Sequence, residues 1–134
     1  MMILRSGVDI LEIARLAGLK PEIRLRFLER VFTPLELAQF GHSDSSMAGR
    51  FAAKEAVAKA LGTGIGPVSW QEIEIQRGAA GEPVLNLSGK AQQLSDTLGL
   101  ETWSISISHT NTHAVALAVA AGQPLDTRKP DEMV

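Results

Sequence analysis

Apolar and polar positions alternate with two different periods along the chain. Ile3, Val8 and Ile10 surround Gly7 over residues 2–10, a pattern that predicts a buried strand ending beside Asp9. Residues 11–19 read as a helix stopped by Gly18 or Pro21. A second helix over 21–31 gathers Ile23, Leu25, Phe27, Leu28, Val31 and the following Phe32 on one broad arc. Arg26 and Arg30 lie together on its opposite side, while Arg24 falls inside the apolar arc without an evident partner. Thr33-Pro34-Leu35-Glu36 has the form of a helix start, with Thr33 as N-cap and Glu36 closing a capping box. That helix ends near Gly41, and the polar run 42–46 supplies the next cap. A helix rich in strong formers follows; Gly62 stops it and Pro67 bars an early restart.

The second half changes period. Residues 68–76 alternate through Trp70, Ile73 and Ile75 and pair by pattern with 83–87 across a glycine turn at 78–81. Ser88 caps a helix that carries Ala91, Leu94 and Leu98 on one face and ends at Gly99. Residues 103–108 alternate strictly, Trp103, Ile105 and Ile107 on one face and Ser104, Ser106 and Ser108 on the other. After a turn at 110–112, Val115, Leu117 and Val119 alternate with alanines, so the last two strands form a hairpin. A strand, a run of helices, two strands, a helix and two strands predict an α+β domain, its sheet largely antiparallel and its helices packed on one face. We find no repeat and no linker. One domain is expected over 1–121, followed by a proline-containing, mixed-charge tail over 122–134 that is expected to be disordered.

Composition narrows the function classes. A chain of 134 residues with 45% hydrophobic content suits one globular core. The absence of cysteine removes disulfides and thiolate metal sites and fits a reducing cytoplasm. A net charge of −2 argues against general affinity for nucleic acid, so any polyanion site must be local. No segment reads as a signal peptide or a membrane span, which points to a cytoplasmic protein with no membrane partner.

Local chemistry concentrates in the central helix. Arg50 and Lys54 share one helical line, Glu55 and Lys59 a second. Two cations beside an acid and a further cation suit a polyphosphate with a metal, although the same spacing describes a solvated face with an i,i+4 ion pair. Gly62, Gly64 and Gly66 superficially match a dinucleotide fingerprint, but they follow a helix instead of opening one after a strand. Such a loop still lets a phosphorylated ligand approach the backbone. Asp9, among apolar neighbours, needs a partner or serves as a helix cap. His109 ends a strand before Thr110, placed for anion contact or for a hydrogen-bonded turn. His113 adds no zinc site, because no further ligands are identifiable. The glycosylation sequon at Asn86 has no secretory context.

Four of these segments together carry a resemblance: Gly-Val-Asp at 7–9, Arg-Phe-Ala-Ala-Lys-Glu with Lys59 at 50–59, Gly-Thr-Gly-Ile-Gly at 62–66, and Ser-Ile-Ser-His-Thr at 106–110. Over roughly residues 3 to 120 the chain resembles the holo-[acyl-carrier-protein] synthase family of 4′-phosphopantetheinyl transferases. The resemblance implies transfer of 4′-phosphopantetheine from coenzyme A to a carrier serine, with release of adenosine 3′,5′-bisphosphate. It implies that Asp9 and Glu55 hold magnesium, that Glu55 or a metal-bound water is the base, and that Lys59 serves the leaving phosphate oxygen. Arg50, Lys54, His109 and Thr110 are implied phosphate contacts, with Gly62, Gly64 and Gly66 bordering the nucleotide.

The partners implied are coenzyme A and an acidic acyl carrier protein, met by a basic surface for which Arg15, Arg26 and Arg30 are candidates. The setting implied is lipid metabolism, with fatty acid biosynthesis and polyketide synthesis both open. A homotrimer is implied too, with Asp9, Glu55 and Lys59 from one protomer and His109 from the next. Leu11 stands where two-lobed relatives carry a second acid, and Ala56 where many members have serine. Two rival readings are a coenzyme A or nucleotide sensor without turnover and a purely structural assembly protein.

Overall fold

The computed structural model describes residues 1–124. Along the chain run β1 (Ile3–Glu12), α1 (Ala14–Ala17), α2 (Pro21–Val31), α3 (Pro34–Phe40), α4 (Asp44–Leu61), β2 (Ile73–Arg77), β3 (Pro83–Leu87), α5 (Gly89–Thr97), β4 (Leu100–His109) and β5 (His113–Gly122). An antiparallel sheet has the order β1-β5-β4, and β2-β3 form a separate antiparallel hairpin. The α+β reading with helices on one sheet face therefore holds, with the strands divided between two sheets.

Small residues set the central packing. Ala114, Ala116, Ala118 and Ala120 alternate onto the face of β5 that α4 covers, and all are buried. On β1, Gly7 lies so close to α4 that a Cβ there would meet the Ala56 carbonyl oxygen at 1.9 Å. Sheet and helix thus touch almost backbone to backbone. Ile73, Ile75, Val57 and Leu61 fill one core, and Phe32, Phe40 and Met47 a second beneath α2 and α3. Against the second, Phe51 stacks on Trp70 with ring centroids 4.9 Å apart.

Several local expectations change. Antiparallel pairing with β5 continues from Ile3↔Gly122 to Glu12↔His113, so the first strand passes residue 10 and only 14–17 remain helical before Gly18. Residues 70–72 form a 3-10 turn before the strand, because Glu72 accepts from the Ser69 backbone N–H at 2.8 Å and closes the turn on itself. Ser88 does precede α5, but its side chain caps nothing; Glu72 instead accepts the Lys90 N–H. The Thr33–Glu36 capping box is present as read. On α2, Ile23 and Leu25 stay exposed, since the helix covers the core only through its other end, Phe27 to Phe32. Arg24 finds its reason: Nη1 donates to the Leu16 carbonyl at 2.9 Å and Nη2 pairs with Asp44 in the first turn of α4. It ties α1, α2 and α4 together.

The far face of the three-stranded sheet is bare. Leu4, Val8, Ile10 and Leu117 are exposed there, beside exposed Ser104, Ser106 and Ser108 of β4. Gln123 still donates to Gly99 at 3.1 Å, and residues 125–134, the greater part of the expected tail, lie outside the described residues. Among the described residues no helix is long and apolar enough to cross a membrane.

Candidate active site

The seam where β1 crosses α4 brings the first expected residues together. The two-residue repeat of β1 turns Arg5, Gly7, Asp9 and Leu11 toward the helix, and four-residue spacing on α4 aligns Phe51, Glu55 and Lys59 along its edge. Because Gly7 removes any side-chain spacer, Lys59 Nζ reaches both the Val8 carbonyl, at 2.9 Å, and Asp9 Oδ1, at 3.2 Å. Half of the Lys59 side chain remains exposed, against 21% for Asp9, so the pair sits at the rim. Burial raises the Glu55 pKa, the neighbouring Asp9 charge raises it further, and Lys59 opposes both.

Two carboxylates that repel each other beside one cation form a donor set of hard oxygens. Such a set suits a divalent ion such as magnesium, which takes one or two carboxylates and completes its shell with phosphate oxygens and waters. Among the described residues there is no cluster of three or more metal-ligating side chains, so any ion here would rest on this pair.

The seam has two unlike ends. At one, Gly62 stops α4 at φ +86°, and Gly64 and Gly66 also have positive φ. Arg5 lies beneath this loop with its Nε donating to the Ala60 carbonyl at 2.5 Å. At the other end, Leu11 and Phe51 join Leu16, Leu19 and Phe27 around an apolar pocket of about 240 Å³, with Arg15 at its mouth. A second pocket of about 320 Å³ runs from Ile65 and Gly66 past Trp70 to Arg30. Arg15, Arg26 and Arg30 are all exposed.

Other expected residues are not brought to this seam. Lys54 is the clearest correction: it is 0% exposed and donates to Glu36 Oε1 at 2.8 Å, to Trp70 O at 3.0 Å and to Ile73 O at 2.7 Å. All three of its donors are occupied inside the protein, so it is a core cross-link, not a phosphate contact. Burial holds its pKa below the ordinary lysine value while Glu36 pulls it upward. Glu36 is equally buried and also accepts from the Thr33 and Ile75 backbone N–H groups.

Arg50, on the same line of α4, is 8% exposed and lies over the Phe40 ring at 5.0 Å. Its Nε has no hydrogen-bond partner, and burial followed by the Arg77 charge lowers its pKa. His109 ends β4, exposed, with Nδ1 3.4 Å from the Thr110 carbonyl. The register Asp9↔Ala116↔Ile107 sets it two strands from Asp9, about 10 Å across the sheet, and two residues farther along. The Thr110 hydroxyl accepts from the Thr112 and His113 backbone N–H groups, closing the turn.

Sequence reasoning passed over Arg5 at this seam; its even spacing from Gly7 and Asp9 on one strand face was the available signal. The partner of Lys54 was also missed, since nothing in the capping-box pattern says that Glu36 is buried.

Comparison with known proteins gives a consistent result. The family described as the 4′-phosphopantetheinyl transferase superfamily matches residues 5–119. A holo-[acyl-carrier-protein] synthase of Moorella thermoacetica is 47% identical over 120 residues, covering 87% of this chain and 92% of the relative. Its counterpart in Natranaerobius thermophilus is 45% identical over 121 residues, covering 88% and 97%. Among solved structures, the Helicobacter pylori holo-[acyl-carrier-protein] synthase in complex with coenzyme A superposes with a TM-score of 0.78 at 35% identity, over 86% of this chain and 98% of that one. The Bacillus anthracis synthase, in complex with coenzyme A as 3′,5′-ADP, gives 0.73 at 35% identity, over 92% and 100%.

Proposed function

The chain belongs to the 4′-phosphopantetheinyl transferase superfamily, and from that membership we propose that it transfers 4′-phosphopantetheine from coenzyme A to a serine of an apo-acyl carrier protein, releasing adenosine 3′,5′-bisphosphate. The observation that carries this reading is the convergence of Asp9, Glu55 and Lys59 on one seam of a fold shared with coenzyme A-bound synthases. Asp9 and Glu55 would hold magnesium, which when bound offsets the negative charge of the diphosphate oxygens. Glu55 is the candidate base: it takes the proton of the carrier serine as that oxygen bonds to phosphorus. The bond from phosphorus to the departing nucleotide oxygen breaks, and Lys59 donates to that oxygen. Gly62, Gly64 and Gly66 let the nucleotide lie against backbone, and Arg50, held over the Phe40 ring with its Nε unpaired, is a candidate phosphate contact.

The carrier would dock across α1 and α2. Arg15, Arg26 and Arg30 are exposed there beside uncovered Ile23 and Leu25, which suits an acidic, amphipathic partner helix. The bare sheet face supports the homotrimer, because exposed Leu4, Val8, Ile10 and Leu117 form an apolar surface that assembly would cover. His109, two strands from Asp9, would then serve a neighbour's seam together with Thr110. A cytoplasmic setting and a role in fatty acid biosynthesis belong to the same proposal.

Incubation with coenzyme A, magnesium and an apo-carrier protein, read by mass spectrometry of the carrier, tests it. The carrier should gain one phosphopantetheine, and chelator or Asp9→Asn should remove most of the turnover. Coenzyme A binding with an unchanged carrier mass would mean a sensor and not a transferase.

A further inference from the structure

The cations near the seam differ in what they meet. Lys59 meets Asp9, Lys54 meets Glu36 and Arg24 meets Asp44. Arg5 forms no ion pair among the described residues, although it is half-buried against the end of α4. Its Nε alone is engaged, by the Ala60 carbonyl, which holds the guanidinium in place. The helix end does not need the rest of the group, because the Ala58 and Lys59 carbonyls already accept from the backbone N–H groups of Gly62, Thr63 and Gly64. The two terminal nitrogens are left with four N–H donors, in a fork whose geometry matches phosphate oxygens.

The loop above has room for that fork. A Cβ on Gly62 would stand 2.6 Å from Arg5 Nη2, so the guanidinium packs directly against this glycine, which its φ of +86° requires. At Gly64 and Gly66 a Cβ would meet nothing within 4 Å, so their missing side chains leave open space over the loop. Charge points the same way: along the seam Arg5 and Lys59 face Asp9 and Glu55, two cations against two carboxylates. A divalent ion on the acids would leave that surface positive by two charges, and Arg5 supplies the part of the field nearest the glycines.

We infer that Arg5 is a further phosphate-binding residue of this site, holding a phosphate of the nucleotide half of coenzyme A against the 62–66 loop. This rests on the reading of the seam as a coenzyme A site. Arg5 lies four positions before Asp9 on β1, about 13 Å along the strand. Arg5 therefore acts on binding of the nucleotide and not on the reacting phosphorus.

The test is calorimetric titration of the wild-type protein, Arg5→Gln and Arg5→Lys with adenosine 3′,5′-bisphosphate, adenosine 5′-diphosphate and adenosine, alongside ligand-free thermal melts. Arg5→Gln should weaken bisphosphate binding about tenfold, as loss of a charged hydrogen-bonding partner does. Arg5→Lys should recover part of it, adenosine should be unaffected, and the gap should narrow as salt rises. Loss confined to the bisphosphate assigns the contact to the 3′-phosphate; loss of both phosphorylated ligands assigns it to the 5′ side. Unchanged affinities with a lowered melting temperature would overturn the inference and leave Arg5 as a helix stop. Should Arg5→Gln not fold, Arg5→Lys decides: weaker bisphosphate binding with a wild-type melt supports the role, and wild-type binding overturns it. If the wild-type protein binds none of the nucleotides, the coenzyme A reading itself fails, which is visible before any variant is made.

Discussion

Two neighbouring residues of one helix, Lys54 and Glu55, show how environment divides similar chemistry into different roles. Lys54 is locked to Glu36 at 2.8 Å with no solvent near either group. Lys54→Met should therefore lower stability by about 3–5 kcal/mol in denaturant titration, because it strands a buried carboxylate. Adding Glu36→Leu should restore only part of that loss, because the Thr33 and Ile75 N–H groups then lose their acceptor. Glu55 behaves in the opposite sense. Its folded pKa lies above its unfolded value, so its ionisation works against folding: the stability tied to the protonated form is full below the ordinary glutamate pKa and is lost as pH rises through the raised one. Glu55→Gln should accordingly melt higher than wild type at neutral pH without a divalent ion, while losing most turnover. A lower melt would contradict the penalty that burial, and then the Asp9 charge, place on this carboxylate. Asp9, Glu55 and Lys59 were singled out in the sequence through the family resemblance of their motifs, and the structure brings them to one seam. The burial of Lys54 was not, because helical periodicity gives the direction of a side chain and not what stands opposite it.

At the scale of elements, β1 and α4 act as one unit, and Gly7 is the reason. A Cβ at that position would lie 1.9 Å from the Ala56 carbonyl oxygen and 3.0 Å from the Ala60 nitrogen, and both belong to backbone. Gly7→Ala should push strand and helix apart, lowering the denaturation midpoint and separating Asp9 from Lys59, so that activity falls in the fraction still folded. Wild-type stability in this variant would mean that the seam yields more easily than its geometry indicates. The elements themselves were largely readable: strict alternation over 103–108 and the Thr33 capping box both reappear. Boundaries moved where a partner strand decided them, as when pairing with His113 carried β1 through Glu12. The turn at 70–72 was hidden because Glu72 closes it by bonding to backbone, a contact that the apolar pattern does not encode.

For the whole molecule, the decisive surface is the uncovered sheet face, whose pattern was visible in the sequence while its lack of a cover was not. In the proposed trimer each cleft joins Asp9, Glu55 and Lys59 of one protomer to His109 of another. Glu55→Gln and His109→Ala should each be poorly active, yet regain part of the activity when unfolded together and refolded as mixed trimers. No recovery despite confirmed mixing would place His109 and Glu55 in the same protomer's cleft. The face carrying Leu4, Val8, Ile10 and Leu117 then does more than shed water. In the proposed trimer it would make a complete cleft a product of mass action: as protomers are diluted, whole sites would disappear instead of working more slowly. In that trimer, output per chain would depend on how many chains the cell makes, and abundance itself would act as the throttle on carrier activation.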